Sequence, residues 1–380
     1  MSVISCGGLE EKVHSGKFRN STNQTLMDSI SSFVSEDFEP YADASRATRI
    51  FIALVYSVVC ALGVVGNLLV LLLLYSRHRR KMSTVTFFVL NLAVTDFQFV
   101  LTLPFWAADT AMDFSWPFGR VMCKLISSVS TMNMYASVFF LTAMAVARYC
   151  SVALPMQVNE GSSRRLSKVA SLLIWVVSIL VTLPHAIFST TEVISDEELC
   201  LVKFPEVKNM DPQFLLGLYQ IQKVLLGFLI PLIIISACYL LLLKSLNRLK
   251  VSNSNSKRRS KVTKSVTIVV LSFFICWLPN QALTIWSIFI KFNVLPFTEA
   301  FYTVQAYIFP VTICLAHANS CLNPVLYCLI RKEFRKALKE LLLRATPAFL
   351  KRHALNKQRK GQVLVVIPME KTHTQPICCG

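Results

Sequence analysis

Residues 49–76 read RIFIALVYSVVCALGVVGNLLVLLLLYS, a mainly apolar run with no charge after its first residue. A helix of about 20 such residues crosses the roughly 30 Å hydrocarbon core of a bilayer. Six more runs of this kind follow, at 84–110, 120–150, 168–190, 214–244, 264–290 and 300–330. Of the 380 residues, 54% are hydrophobic and 16% charged, against roughly 25% charged in a soluble domain. The sequence therefore predicts an all-α membrane protein, with a seven-transmembrane helix bundle over residues 49–330.

The charges that flank these runs predict the orientation of the chain. Of the 39 Lys and Arg, 28 fall on one side, at Arg148 and in residues 77–81, 164–168, 244–264 and 331–371, whereas 16 of the 21 acids fall on the other. Short basic loops are typical of the cytoplasmic side. We expect a multi-pass plasma-membrane protein with an extracellular N-terminus and a cytoplasmic C-terminus. Contact with membrane lipids accounts for the net charge of +18, so no nucleic-acid partner is predicted.

The segments outside the bundle are polar. Residues 1–48 predict a flexible extracellular tail, glycosylated at Asn20 and Asn23, which each open an Asn-x-Ser/Thr motif. Residues 331–344 are basic, with apolar side chains at 334, 338, 341 and 342, the spacing of an amphipathic membrane-surface helix. Residues 345–380 predict a disordered cytoplasmic tail.

Two of the twelve cysteines stand apart from those inside the runs. Cys123 opens the third run on its outer side, and Cys200 lies in the loop before the fifth. Both face an oxidising compartment, so we expect a disulfide that ties this loop to the third helix. Cys6 then has no evident extracellular partner.

Polar side chains inside the runs form another pattern, because such groups are costly in a bilayer and are functional candidates. The set comprises Asp96, Asn133, Ser137, Asn319, Ser320 and Asn323. One carboxylate among neutral oxygens suits a small cation such as Na⁺, with Asp96 as the metal ligand. A hydrogen-bonded cluster that only holds helices together fits the same residues equally well. No other cofactor is expected.

An ordered set of motifs touches all seven runs. It comprises Gly66-Asn67, Leu92-Ala93 with Asp96, Arg148-Tyr149, Trp175, Pro231 with Tyr239, Cys276-Trp277-Leu278-Pro279, and Asn323-Pro324 with Tyr327. This set resembles the helix-by-helix signature of rhodopsin-like, G-protein-coupled receptors over about residues 49–345. The resemblance implies a heterotrimeric G protein and arrestin as partners, and it favours a regulatory Na⁺ at Asp96. It assigns activation and G-protein contact to Arg148, Tyr149, Tyr239, Phe273, Trp277, Pro279, Pro324 and Tyr327.

The chain departs from that signature beside Arg148. The preceding position, acidic in most of the family, is Ala147, and the inner end of the sixth run carries Arg259 where another acid is frequent. Arg148 therefore lacks both usual anionic restraints. Either other contacts hold it, or its inactive position is less stable than in the rest of the family.

Longer matches resemble one group within the family, the receptors for relaxin-3 and insulin-like peptide 5. They are Thr95–Trp106, Trp116–Gly119, Met132–Ser137, Glu197–Val202 and Lys261–Ala282. The resemblance implies a relaxin-family peptide hormone as ligand, and Gi/o coupling with lowered cAMP. Because the 1–48 tail carries no leucine-rich or cysteine-rich module, we expect the helical bundle itself to bind the peptide.

Charged residues near the outer ends of the runs predict where a basic peptide would bind. Asp109 and Asp113 are four apart, on one face at the top of the second run, about one turn above Trp106. Glu197 lies in the loop that the disulfide would hold over the bundle mouth. Carboxylates bind guanidinium groups in bidentate pairs, and Trp106 can stack on such a group. Lys223, on the fifth run, is the expected counter-charge for the carboxyl end of the peptide.

Other protein classes fit the sequence less well. A transporter would have related halves with broken helices, and the two halves here do not resemble each other. No run pairs a nucleophile with a base, so an enzyme is not predicted. A scavenging receptor that binds peptide with weak G-protein coupling is the main alternative, because Ala147 replaces the usual acid.

Overall fold

The structure is a computed structural model, and it describes residues 24–76, 83–153, 160–194, 197–205, 211–249 and 256–330, with Arg335 and Lys339. The chain divides into two units, residues 1–330 and 331–380. In the second unit Arg335 and Lys339 are helical and exposed. The rest of the predicted surface helix 331–344 lies outside the described residues, as do the tail 345–380 and the glycosylation sites Asn20 and Asn23.

The first unit is built from helices joined by short connections. In chain order they are α1 Gln24–Ser76, α2 Thr84–Val100, α3 Leu103–Ala111, α4 Gly119–Ala153, α5 Glu160–Phe188, α6 Pro212–Val224, α7 Ile230–Leu249, α8 Ser256–Lys291, α9 Glu299–Thr303 and α10 Phe309–Ile330. A π-helical segment, Leu225–Leu229, joins α6 to α7, and another, Val304–Ile308, joins α9 to α10.

All seven predicted runs are helical, which confirms the predicted fold class. Within the part of the chain that the structure describes, six stretches are long and apolar enough to cross a membrane: Arg46–Tyr75, Thr84–Ala111, Gly119–Ser151, Arg164–Phe188, Pro212–Ser245 and Thr267–Lys291. The seventh run, 300–330, is helical throughout, as α9, the π segment and α10. Large apolar side chains stay exposed on outward faces, among them Leu172, Ile233 and Ile275. Lipid is a suitable solvent for such faces.

Prolines account for the interruptions inside the second, fifth and seventh runs. α2 ends at Val100, and α3 starts with Pro104 in its first turn, where a missing N–H costs nothing. Pro231 and Pro310 each lie two positions after the last residue of a π-helical segment. A proline ring clashes with the carbonyl four residues earlier, and a widened turn relieves that clash.

The N-terminal boundary differs from the prediction. α1 begins at Gln24, so residues 24–48 are helical, whereas composition predicts a flexible tail from 1 to 48. Leu26, Ile30 and Phe33 recur at helical spacing within this polar stretch, and average composition hides that periodicity.

A β-hairpin follows α5, with β1 at Ser189–Ile194 paired antiparallel to β2 at Glu197–Val202. Cys200 lies opposite Thr191 in this pair. The disulfide Cys123–Cys200 joins β2 to the first turns of α4, as predicted, with 5.6 Å between the two Cα atoms. The hairpin is therefore fixed to the outer end of α4.

Candidate functional site

A cavity of about 680 Å³, including the part open to solvent, lies between α4, α6, α8 and the seventh run. Apolar groups line it alongside amides and hydroxyls. The lining residues are Ser130, Thr131, Met134, Gln220, Lys223, Trp277, Asn280, Gln281, Thr284, Phe309, Ile313, Ala316 and His317. Of the residues predicted to bind ligand, Lys223 lies here.

Several buried polar atoms around this cavity have no hydrogen-bond partner in the part of the chain that the structure describes. Among the described residues, no hydrogen-bond partner is available to Oε1 of Gln220, Oε1 of Gln281 or Nδ1 of His317, all buried. No described carboxylate forms an ion pair with Lys223, whose Nζ lies 5.7 Å from the centre of the Tyr219 ring. Leaving a buried polar group unpaired costs about 1–3 kcal/mol. The cavity is therefore suited to a ligand that supplies an anion and further hydrogen-bonding groups.

Trp106, which is predicted to contact the peptide, is not among the residues that line this cavity. Its side chain is only 1% exposed and packs on Trp116, with ring centres 5.5 Å apart. Its indole Nε1 donates a hydrogen bond to Oγ of Ser130, 3.0 Å away, and Ser130 does line the cavity. Trp106 thus positions a lining residue. The ring of Trp106 packs on that of Trp116, a contact that sequence spacing could not predict.

The predicted pairing of Asp109 and Asp113 on one helix face is wrong. α3 ends at Ala111, and Asp113 lies in a turn with φ 60°, outside the helix. Asp109 is 3% exposed, and the described residues give its carboxylate no hydrogen bond or ion pair. The Asp113 side chain is 63% exposed and is held by Arg49 of α1, with Nη1 2.5 Å from Oδ1. The two acids therefore occupy different environments.

Glu197 begins β2, is exposed and is not among the residues that line the cavity. The hairpin instead contacts the turn after α3 through its main chain. The carbonyl of Glu198 accepts a hydrogen bond of 2.6 Å from the backbone N–H of Trp116. This bond ties the turn that contains Asp113 to the disulfide-anchored hairpin.

The predicted polar cluster is assembled in the bundle interior. Asp96 is fully buried, and its carboxylate accepts hydrogen bonds from Nδ2 of Asn323 at 2.8 Å, Nδ2 of Asn133 at 3.2 Å and Oγ of Ser137 at 3.4 Å. Ser320 donates to Oδ1 of Asn133 at 3.4 Å. Three separate runs thus converge on one carboxylate.

Two buried amide oxygens on α10 lack a donor in the part of the chain that the structure describes: one belongs to Asn323, which bonds to Asp96, and the other to Asn319, one turn earlier. Unsatisfied neutral oxygens beside a buried carboxylate are the donor set that a hard cation prefers. The cluster therefore fits Na⁺, although its hydrogen bonds also join the second, third and seventh runs.

Comparison with known proteins agrees with this geometry. The family described as 7 transmembrane receptor (rhodopsin family) matches residues 66–327. The chain belongs to this receptor family. It is 56% identical to relaxin-3 receptor 1 of Mus musculus over 340 residues, which cover 80% of this chain and 72% of the relative. It is 54% identical to relaxin-3 receptor 1 of Homo sapiens, over 81% and 72% of the two chains, and 44% identical to human relaxin-3 receptor 2, over 83% of each.

Membership in this family makes the protein a multi-pass receptor of the plasma membrane, and not an enzyme. The residues to which the family resemblance assigns activation can then be located in the structure. Trp277 lines the cavity, and its ring centre lies 5.8 Å from that of Phe273, which is buried one turn further in. Phe273 packs on Phe274 at 5.4 Å, and Phe274 packs on Phe228 of the π segment at 5.3 Å. An aromatic chain thus connects the cavity to the widened turn before Pro231.

The other residues to which the resemblance assigns activation lie in α4, α7, α8 and α10. Pro279 and Pro324 lie inside α8 and α10, and Gly66 of α1 packs on Pro324 so closely that an added Cβ would stand 2.9 Å from its Cβ. Arg148 and Tyr149 are half-buried near the inner end of α4, and Tyr239 is half-buried in α7. The side chain of Tyr327 lies outside the described residues.

Several site residues were not predicted from the sequence. Gln220 and Gln281 line the cavity, and only the i, i+4 helical position of Gln281 relative to Trp277 could have indicated it. His317 also lines the cavity, and its ring centre lies 5.7 Å from that of Tyr56 and 4.9 Å from that of Phe99. The pairing of Arg49 with Asp113 had no sequence signal.

Proposed function

We propose that this receptor binds a basic relaxin-family peptide such as relaxin-3 and transmits the signal to a heterotrimeric G protein. The observation that carries the proposal is a pair of opposite charges that form no ion pair with another described residue, Asp109 at the outer end of α3 and Lys223 in the cavity. A peptide with a guanidinium group and a free carboxyl end complements both.

The similarity to relaxin-3 receptors 1 and 2 supports this choice of ligand class. The chemistry of the cavity supports a polar chain end within it. Lys223 would bind the carboxylate, and the unpaired oxygens of Gln220 and Gln281 would accept from N–H groups of the peptide. Trp277, Phe309 and Ile313 would contact an apolar side chain at that end.

The remaining features of the proposal follow from charge and family. The basic flanks favour an extracellular N-terminus and a cytoplasmic C-terminus, in contact with anionic lipids. We propose that the receptor couples to Gi/o proteins, which lowers cAMP, and that arrestin is a further partner. We also place a regulatory Na⁺ at Asp96, with Asn133, Ser137, Asn319, Ser320 and Asn323 as the surrounding donors.

The test is binding of relaxin-3, and of an analogue amidated at its carboxyl ends, to the receptor in membranes. Lys223→Gln should weaken relaxin-3 by about 1.5–3 kcal/mol, the range for hydrogen bonds to charged groups. It should leave the amidated analogue unaffected. Lys291→Gln is the matched control, because Lys291 lies at the end of α8 and donates to Ser287 at 2.7 Å outside the cavity lining. Equal losses for both peptides would contradict the role given to Lys223.

A scavenging receptor remains the second candidate, because Ala147 replaces the acid that precedes Arg148 in most of the family. Relaxin-3 would then bind without signalling. Agonist-dependent lowering of forskolin-raised cAMP, abolished by pertussis toxin, supports the first candidate, and binding without a cAMP response supports the second.

A further inference from the structure

One ion pair at the outer rim joins residues far apart in the sequence and occupies a carboxylate that faces the outside. Nη1 of Arg49 lies 2.5 Å from Oδ1 of Asp113. The Arg49 side chain is 23% exposed, so its stem is packed, whereas the Asp113 side chain is 63% exposed. A ligand can therefore reach Asp113, but a guanidinium group of the receptor is already bound there.

The turn that contains Asp113 is also held by main-chain hydrogen bonds that do not involve Arg49. Asp113 and Phe114 have φ values of 60° and 65°, in the left-handed region that non-glycine residues seldom adopt. The backbone N–H of Phe114 donates to the Asp109 carbonyl at 2.7 Å, and that of Trp116 donates to the Glu198 carbonyl at 2.6 Å. Loss of the Arg49 charge should thus uncover Asp113 while the turn keeps its conformation.

We propose that Arg49 is a specificity-determining residue that competes with the ligand for Asp113. Arg49 contacts Oδ1 of Asp113, so a ligand Arg that forms a bidentate pair with both carboxylate oxygens competes with Arg49 for that oxygen. Arg49 would lower the affinity for peptides that present a guanidinium group at this rim and leave unchanged those that do not. The inference rests on the proposed function, because it needs a basic ligand.

The experiment measures relaxin-3 affinity and surface expression for single and double variants. Arg49→Gln should tighten binding about 1.5- to 5-fold, the range expected for an exposed ion pair. It should have no effect when Asp113→Asn is already present. Arg49→Lys retains the charge and should stay near the unsubstituted receptor. Arg46→Gln removes an exposed charge about one turn earlier in α1, where the described residues form no ion pair, and it should leave affinity unchanged.

Any other result contradicts the proposal that Arg49 competes with the ligand for Asp113. Unchanged or weaker binding by a normally expressed Arg49→Gln receptor would overturn it. Equal tightening by Arg46→Gln would also overturn it, because it would indicate a general electrostatic effect of the positive charges on α1. Failure of relaxin-3 to bind the unsubstituted receptor would overturn the proposed function as well. Arg49→Gln that alone fails to tighten binding would overturn only the competition.

Discussion

Asp96→Asn separates the two roles that the polar cluster can have, because the structure shows how the substitution can be accommodated. The amide keeps one oxygen for Asn133 and Ser137 and places an NH₂ group toward Asn323. Oδ1 of Asn323 has no hydrogen-bond partner among the described residues, so rotation of the Asn323 amide would let that oxygen accept. The number of hydrogen bonds is then conserved.

The expected change in stability is small. Only the 2.8 Å bond from Asn323 is short, and the other two, at 3.2 and 3.4 Å, are long. Hydrogen bonds to charged groups contribute about 1.5–3 kcal/mol and neutral ones about 0.5–1.5 kcal/mol, so the loss at the short bond is about 1 kcal/mol. Burial of a neutral amide in place of a carboxylate offsets part of it. A thermal midpoint within about 4 °C of the unsubstituted receptor is expected.

The effect on Na⁺ should be much larger than the effect on stability. Allosteric couplings are typically about 1–3 kcal/mol, or about 5- to 150-fold in affinity. We therefore expect Na⁺ to weaken relaxin-3 binding at least about fivefold in the unsubstituted receptor, and not at all after Asp96→Asn. The assay is competition binding in Na⁺ or in an equal concentration of N-methylglucamine, which controls for ionic screening of Asp109, Asp113 and Glu197. Ser320→Ala removes a neutral oxygen and should reduce the dependence only partly.

If the unsubstituted receptor binds relaxin-3 equally in the two salts, the proposed cation site is refuted. The cluster would then serve only to hold the second, third and seventh runs together. Asp96→Asn would in that case change stability alone.

Three further outcomes follow from particular contacts. Asp109→Asn should weaken relaxin-3 by about 1.5–3 kcal/mol, but not an analogue whose Arg residues are replaced by Gln, as competition binding will show. Gly63→Ala would place a Cβ 2.5 Å from Cγ1 of Val100, so overpacking should cost about 1–3 kcal/mol in thermal stability, most of which added Val100→Ala should restore. Ala147→Asp should lower agonist-free signalling by at most about 1 kcal/mol, because a restored acid beside Arg148 forms an ion pair at a wet membrane edge; basal cAMP that is identical in both receptors would show that other contacts hold Arg148.

The sequence predicted those features that depend on run length and on spacing within one helix. The seven runs are recognisable because each is long enough, as a helix, to cross the bilayer core. The widened turns before Pro231 and Pro310 were not predicted. The polar cluster was predictable because residues 133 and 137, and 319 and 323, recur at four-residue intervals. The alternative that the cluster only holds helices together was also predictable, because the same hydrogen bonds fit a Na⁺ site and a structural cluster.

The sequence could not predict the rim, because its geometry depends on contacts between distant residues. Asp109 and Asp113 look equivalent at i, i+4 spacing, but α3 stops at Ala111. The indole of Trp116 is fully buried against Trp106, and its backbone is bonded to the hairpin. These contacts draw the chain away from the helix axis and turn Asp113 toward α1. Helical periodicity carries no information about such a turn.

The separation of the two acids changes how ligand binding can supply energy for activation. Asp109 is buried without a described partner, so much of its dehydration cost is already borne by the folded receptor, and a ligand guanidinium gains the full attraction of a preorganised site. Asp113 is exposed and already paired, so exchange of one guanidinium for another there changes the free energy little. Lys223 resembles Asp109 in having no ion-pair partner among the described residues, and it lines the same cavity as Trp277, which contacts Phe273. Binding energy should therefore arise mainly at Asp109 and Lys223 and reach the inner half of the bundle through Trp277.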